Sequence, residues 1–467
     1  MGEGWRQADD VTNGPASWTP ALSPSGGPLY LQIVDGIAAA IGSGALREGD
    51  RLPTQRALAE TLGVDFTTVT RAYAEARRRN LLDAVTGRGS FVAPRRDPAA
   101  PPLDLSMNIP PAPRGIRLAE LVARGVAEIA ARSNVDLLMS YHPGAGSSAE
   151  RAAGAAWLRP TLGAIDPDRI LVAAGAQAAI LAILSVAAEP GETVLCEPMV
   201  YPGLLSAAAQ LRLHVVAVAV DRDGMRPEAL AEACHGRGRR LVYLNPTIGN
   251  PTSITMSEAR RRAIASIAET HGLKILEDDP YSPLAPDAPP AFARIAPTLT
   301  WHVATLSKTL TPGLRVAYVV APGHAERARL AEALRAVTLM APPLMSALLS
   351  GWIRDGVAAD LLAGVREEAA ARQSLARKAL PQATAHPNGL HLWLPLGEGW
   401  DRRLLAERAR AQGLAVTPSD AFRAGGPSVE AVRISLGAVP ERARLGAALE
   451  TLAAILAEGP KASREVV

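Results

Sequence analysis

Cysteine is nearly absent from this chain: Cys196 and Cys234 are the two found in 467 residues. A single pair supports neither a disulfide framework nor a cysteine-based zinc site, and such usage fits a reducing cytoplasm. The eight histidines are scattered, so no metal cluster is expected. Aromatic residues make up 4% of the chain. Long apolar runs are lacking as well. Leu171 to Ala188 comes nearest, but Gly175, Gln177 and Ser185 interrupt it, so it reads as a buried strand and helix rather than a membrane span. Met1 to Pro15 has no apolar core of a signal peptide. What is present, 48% hydrophobic and 20% charged residues, is the balance of a globular chain. Its length suits roughly three domain-sized units of about 150 residues.

The net charge of +3 is local. Between Pro28 and Arg96, ten arginines oppose seven acids, so the rest of the chain balances and nucleic acid is the first partner to consider. After a lead-in at residues 1–26 rich in Gly, Pro, Ser and Asp, Leu29, Ile33, Ile37 and Ile41 recur at helical spacing until Gly42-Ser43-Gly44. Thr54 then caps a short helix with Leu58, Ala59 and Leu62, Gly63 breaks it, and Asp65 starts another through Val69, Ala72, Tyr73 and Ala76. Two short helices about a glycine turn are a helix-turn-helix. The runs on either side of Gly87-Arg88-Gly89 read as a two-stranded wing with a cation at its tip. Asp97 to Pro102 is a proline-rich boundary.

Farther on, the stretch Val303 to Tyr318 holds one lysine among Val303, Leu306, Leu310 and Leu314. Poor solvation lowers the pKa of Lys308 and makes its neutral amine available to a carbonyl, as a Schiff-base lysine requires. Thr305, Ser307 and Arg315 supply the hydroxyls and guanidinium fork that hold a phosphate dianion, so the stretch reads as a seat for pyridoxal phosphate. Strand-like runs alternate with Ala/Leu-rich helical stretches, implying an α/β fold with a mostly parallel sheet and ligands at strand C-termini. Candidate residues fall at those termini. Gly175-Ala176-Gln177 opens a helix whose free N–H groups suit a phosphate, and Asp278 follows Ile275-Leu276-Glu277, where a carboxylate keeps a pyridine nitrogen protonated. Cys196 and His391 read as structural residues.

The run Thr305-x-Ser307-Lys308-x3-Pro312-Gly313-Leu314-Arg315 resembles the signature of fold-type I, class I aminotransferases, and residues 104–467 resemble that fold with its large and small domains. The resemblance implies that Asp278 pairs with the pyridine nitrogen, that Asn250 and Tyr281 bond the ring hydroxyl, and that Tyr201 stacks on the ring. It further implies that Ala176, Gln177, Thr305 and Arg315 hold the phosphate, that Tyr141 reaches the partner subunit's phosphate, and that Arg433 clamps an amino acid's α-carboxylate. Ser253 stands where the family's Asn-Pro-Thr-Gly has glycine, which perturbs a turn without removing a ligand.

Residues 27–96 resemble the GntR-type winged helix through Leu46-x2-Gly-Asp-Arg51-Leu-Pro, Thr68-Val69 and Gly87-Arg88-Gly-x-Phe-Val. The family's recognition helix often begins Ser-Arg where this chain has Asp65-Phe66, so that arginine's base contact does not carry over. Arg51, Thr67, Thr68, Thr70, Arg71 and Arg88 are the candidate DNA contacts, with Arg77-Arg78-Arg79 either facing phosphates or solvated. Joined through a linker at residues 97–103, the two modules resemble the MocR subfamily of GntR-type transcription regulators. That resemblance implies a cytoplasmic homodimer that binds a double-stranded operator and senses an amine or amino-acid effector through an aldimine at Lys308. Two alternatives stay open: a working aminotransferase with an accessory DNA-binding domain, and a regulator sensing pyridoxal phosphate itself.

Overall fold

The computed structural model describes residues 18–460 except 24–26, 48, 80, 86–88, 94–101, 143 and 236–237. Contacts divide the chain into two compact units, Met1–Pro101 and Pro102–Val467. Arg88 and most of the proline-rich linker lie outside the described residues.

In the first unit, helix α1 (Leu29–Ser43) turns Ile33, Val34, Ile37 and Ala40 inward and ends on left-handed Gly44. Helix α2 (Gln55–Leu62) starts at Thr54, whose side chain accepts from the Ala57 N–H, and α3 (Phe66–Arg78) starts at Asp65, which accepts from the Thr67 N–H. The three apolar stripes meet in one core that includes Ile33, Ile37, Leu58, Val69 and Tyr73. Across it the Tyr73 hydroxyl donates to the Pro53 carbonyl at 2.8 Å, fixing the approach to α2. Strands β1 (Leu82–Val85) and β2 (Gly89–Val92) pair antiparallel as the wing.

The second unit opens with β3 (Leu103–Asp104), followed by α4 (Leu118–Arg132), α5 (Val135–Leu138) and α6 (Ser148–Leu162). Strand β4 (Ile170–Ala173), α7 (Ala176–Ala187), β5 (Thr193–Cys196), α8 (Pro202–Gln210) and β6 (His214–Ala217) come next. A hairpin of β7 (Val220–Asp221) and β8 (Gly224–Met225) leads to β9 (Arg239–Leu244), β10 (Lys274–Asp278), β11 (Thr300–Thr305) and β12 (Ala317–Val320). Seven of these form a sheet in the order β4-β12-β11-β10-β9-β5-β6. Only β12 runs antiparallel to its neighbours, β11 and β4, so the expected mostly parallel sheet is what forms. Both faces are covered, and Leu171 to Ala188 is a buried strand and helix. Among the described residues no helix is long and apolar enough to cross a membrane.

A smaller sheet follows: β13 (Thr384–Ala385), β14 (His391–Pro395), β16 (Thr417–Pro418) and β17 (Ala431–Ser435), in the order β13-β14-β17-β16. Between them in the chain, β15 (Leu414–Ala415) pairs in parallel with β3, Leu414 opposite Leu103. The Ser435 N–H donates to the Leu105 carbonyl at 2.7 Å, and Leu105 is buried with Leu392, Leu394, Val432 and Ile434. The first residues of the second unit are thus built into its small domain.

Candidate functional site

The strand C-termini open onto a cavity of about 540 Å³. Ala176, Gln177, Tyr201, Asn250, Asp278, Tyr281, Thr305, Ser307, Lys308, Arg315 and Arg433 all line it, although 257 positions separate the first from the last. Tyr141, on the loop after α5, does not; it is 80% exposed.

Lys308 sits in the turn after β11, and its Nζ donates to the Asn108 carbonyl oxygen. Burial pulls its pKa down to about 8; the positive fields of Arg433 and Arg315 add to the fall and Asp278 opposes it. Asp278 ends β10. Burial pushes its carboxyl up to about 6 against the Tyr243 hydroxyl, which donates to Oδ2 at 2.7 Å. The other oxygen, Oδ1, is buried without a partner. Opposite, Arg433 donates through Nη1 to Asn250 Oδ1 at 2.8 Å and through Nη2 to the Ser106 carbonyl at 2.6 Å, with its Nε unpartnered. Its guanidinium lies over the Phe422 ring, 4.8 Å from its centre, a cation–π contact.

At the far end, α7 begins behind Gly175, whose φ of 93° is left-handed. A side chain there would put its Cβ 2.9 Å from Arg315 Nη2, so glycine is what lets the guanidinium reach the helix N-terminus. The sequence suggests Arg315 as the start of a strand. Instead a 3₁₀ turn at Pro312–Leu314 ends on it at φ 51°, and β12 begins at Ala317, which frees its side chain from the sheet. Thr305 Oγ1 and Ser307 Oγ lie 3.0 Å apart beside it.

Ser253 takes the left-handed backbone that glycine would have taken, at φ 60°, and is buried. A non-glycine residue there stores about 1–2 kcal/mol. Ser253→Gly is therefore expected to raise unfolding free energy by about 0.5–1 kcal/mol after the added flexibility of the unfolded chain is subtracted. Urea unfolding of the full chain measures it; an unchanged or lower midpoint refutes the strain.

Behind Asp278 lies a fully buried group of Glu277, Asp279 and His302. Its ligand atoms are occupied by protein donors: Glu277 accepts from the Phe292 and Ala293 N–H groups and faces His302 Nδ1 at 2.9 Å, while Asp279 accepts from the Ser282 N–H and hydroxyl. Burial opposes both charges, but their mutual attraction lowers the Glu277 pKa and raises that of His302.

Several of these residues carry no obvious signal in the sequence. Asn108, Ser106, Tyr243 and Phe422 are among them. Asn245 had one, since it follows the Leu241–Leu244 run as the other candidates follow theirs; its Nδ2 donates to the Asp278 carbonyl at 2.6 Å.

In the winged helix, Arg51 bridges to Phe91 and lays its guanidinium against Gly89. Thr67 Oγ1 donates to Asp65 and Thr70 Oγ1 to Gln55 Oε1 at 2.9 Å; Thr68 is half-buried. Arg71 stacks 4.0 Å above the Tyr30 ring, so reaching a base would require it to leave that ring. Arg78 and Arg79 both bind Glu75, and Arg79 also reaches Asp35 at 3.1 Å. The hydrogen bonds from these two arginines hold the Glu75 carboxyl at about 2.

Comparison with known proteins accords with this geometry. Residues 100–452 match the model of the family "Aminotransferase class I and II", and residues 29–92 match that of "Bacterial regulatory proteins, gntR family". The chain is 29% identical to YdeF of Bacillus subtilis, an uncharacterized HTH-type transcriptional regulator, over 91% of this chain and 93% of the relative. It is 31% identical to PtsJ of Salmonella typhimurium, a vitamin B6 salvage pathway transcriptional repressor, over 88% and 94%. Among solved structures, a kynurenine aminotransferase from Pyrococcus horikoshii shares the fold with a TM-score of 0.71 at 23% identity, covering 78% of this chain and 93% of that one.

Pyridoxal phosphate is the cofactor that family and fold imply, and the cavity fits it. The bare Asp278 Oδ1 is the acceptor that a protonated pyridine nitrogen requires. The N-terminus of α7, Thr305, Ser307 and Arg315 supply donors for a dianion at the opposite end. With a lysine amine between these two ends and a winged helix earlier in the chain, the chain belongs to the class I and II aminotransferase family and carries a GntR-type helix-turn-helix module, the MocR architecture of transcription regulators.

Proposed function

We propose that this chain is a DNA-binding regulator whose second unit responds to an amine or amino acid taken up at Lys308. The observation that carries the reading is the meeting of a half-buried Lys308 with buried Asp278 and Arg433 in one cavity of a chain that also holds a winged helix. Pyridoxal phosphate, when bound, supplies a carbonyl carbon at which one amine can replace another. The residues do the rest. Lys308 is neutral often enough near pH 7 to react, Asp278 holds a proton at the ring nitrogen, and Arg433 takes a carboxylate. A ligand that occupies Arg433 and displaces Lys308 would act by binding one arrangement of the domain better than another, as any effector must.

The active form is a homodimer. Helix α4 has no buried residue, and Leu118, Val135, Leu137, Met139 and Tyr141 leave an apolar face exposed beside it, which a second copy would cover. An operator-binding protein that carries two cysteines in all works in the cytoplasm.

The test is selection of full-length protein on a random-sequence duplex pool, followed by retardation of the selected duplex with pyridoxal phosphate alone and with each of the twenty L-amino acids. Enrichment of one motif, with retardation that changes at least threefold on adding an amino acid, supports the reading. A change with cofactor alone makes the cofactor itself the signal. No enrichment, together with steady amino-group transfer to 2-oxoglutarate, overturns it in favour of an aminotransferase.

A further inference from the structure

Asn108 joins the buried polar groups of the cavity, and the way its amide points follows from its neighbours. The Gly249 carbonyl can only accept, so His391 Nε2, 3.2 Å away, carries the ring proton. Burial, reinforced by the charges of Arg433 and Lys308, drives the imidazole pKa down to about 3, so the ring is neutral and Nδ1 is a bare lone pair. Asn108 Nδ2 lies 3.1 Å from that lone pair and must donate to it. The same NH₂ group donates to the Tyr281 hydroxyl at 2.8 Å. Both amide N–H groups are then spent, which fixes Oδ1 on the opposite side. That oxygen is buried and unpartnered, in a residue 6% exposed that lines the cavity. The backbone oxygen of Asn108, meanwhile, accepts from Lys308 Nζ.

One residue therefore offers two carbonyl oxygens to nitrogen: one holds the lysine amine, and the other has no donor among the described residues. A buried acceptor left bare costs about 1–3 kcal/mol, which a ligand N–H would recover. We infer that Asn108 recognises the effector's amine, its side-chain oxygen accepting an N–H from the amine nitrogen that approaches Lys308. This rests on the regulator reading above and narrows its ligand to compounds that keep an N–H beside Lys308. A carboxylate without an amine satisfies Arg433 and leaves Asn108 bare.

The experiment uses full-length protein loaded with pyridoxal phosphate, titrated with the twenty L-amino acids and followed by cofactor absorbance. The amino acid that binds wild type most tightly is compared with its des-amino carboxylate, measured by competition. Asn108→Ala is expected to weaken the amino acid about 10- to 100-fold, the range for a hydrogen bond to a charged donor. The des-amino carboxylate should change by less than about twofold, because its one charged partner, Arg433, is intact. Equal losses for both ligands, or none for either, overturn the inference while leaving the regulator reading in place. Should Asn108→Ala not retain the cofactor, the near-isosteric Asn108→Leu gives the same comparison. If neither variant retains it, Asn108 is a structural residue and the inference fails. A wild-type protein that answers no amino acid removes both the inference and the reading it rests on.

Discussion

Lys308→Ala protein, mixed with pyridoxal phosphate and then borohydride, is expected to gain no covalently attached cofactor, where wild type gains one per chain by intact mass. Lys308 is the lysine that lines the cavity, and its surroundings make it reactive. With its pKa pulled from 10.5 to about 8, roughly one-tenth of it is neutral at pH 7, about 300-fold more than for an ordinary lysine. The pH dependence carries the sign of that shift. Attachment should speed up about tenfold per pH unit below pH 8, where deprotonation limits it, and level off above. A lysine at its ordinary value would keep gaining to beyond pH 10. A variant labelled as fully as wild type, or a wild-type profile still rising at pH 10, would remove Lys308 from the role assigned to it.

Much of this site is legible in the sequence because an α/β sheet gathers strand ends. Once Ile170–Ala173, Lys274–Asp278 and Thr300–Thr305 are read as strands of one sheet, Gln177, Asp278 and Lys308 must share an edge, and they do. Turn chemistry was legible for the same reason, since a cap is a local event: Thr54, Asp65 and Gly63 act where their residue types say they should. Asn108 was not legible. Its place depends on β3 pairing with β15, some three hundred positions later, and no local pattern in Leu105-Ser-Met-Asn-Ile-Pro110 announces that. Tyr243 was hidden differently, because a tyrosine within an apolar strand packs like its neighbours, and only the carboxylate on the adjacent strand gives its hydroxyl a task. Arg71 illustrates the converse. Read along α3 it is an exposed cation, yet α1 brings Tyr30 beneath it and offers the guanidinium a competing surface.

Arg433→Ala is expected to separate the two jobs that a single guanidinium does here. It is nine-tenths buried and bonded to Asn250 and to the Ser106 carbonyl, with Nε still free to donate, so a carboxylate arriving beside it would form charge-assisted bonds out of water. Removing one partner of such a pair costs about 2–5 kcal/mol, which weakens carboxylate-bearing ligands by about 30-fold or more. Primary amines without a carboxylate should bind the variant about as well as wild type. The second job is electrostatic. The positive field of Arg433 is, after burial, the largest influence lowering the Lys308 pKa, so its loss must move that pKa upward. The level part of the attachment profile should therefore begin at a higher pH in Arg433→Ala than in wild type, and at a fixed pH of 7 attachment should be slower. Both readouts come from one protein preparation: ligand titration by cofactor absorbance, and attachment rate against pH. Weaker carboxylate binding with an unmoved pH profile would mean that Arg433 holds the carboxylate but does not set the Lys308 pKa. Unchanged binding of both ligand classes would mean that Arg433 serves Asn250 and Phe422 alone, and the carboxylate site would have to be sought elsewhere.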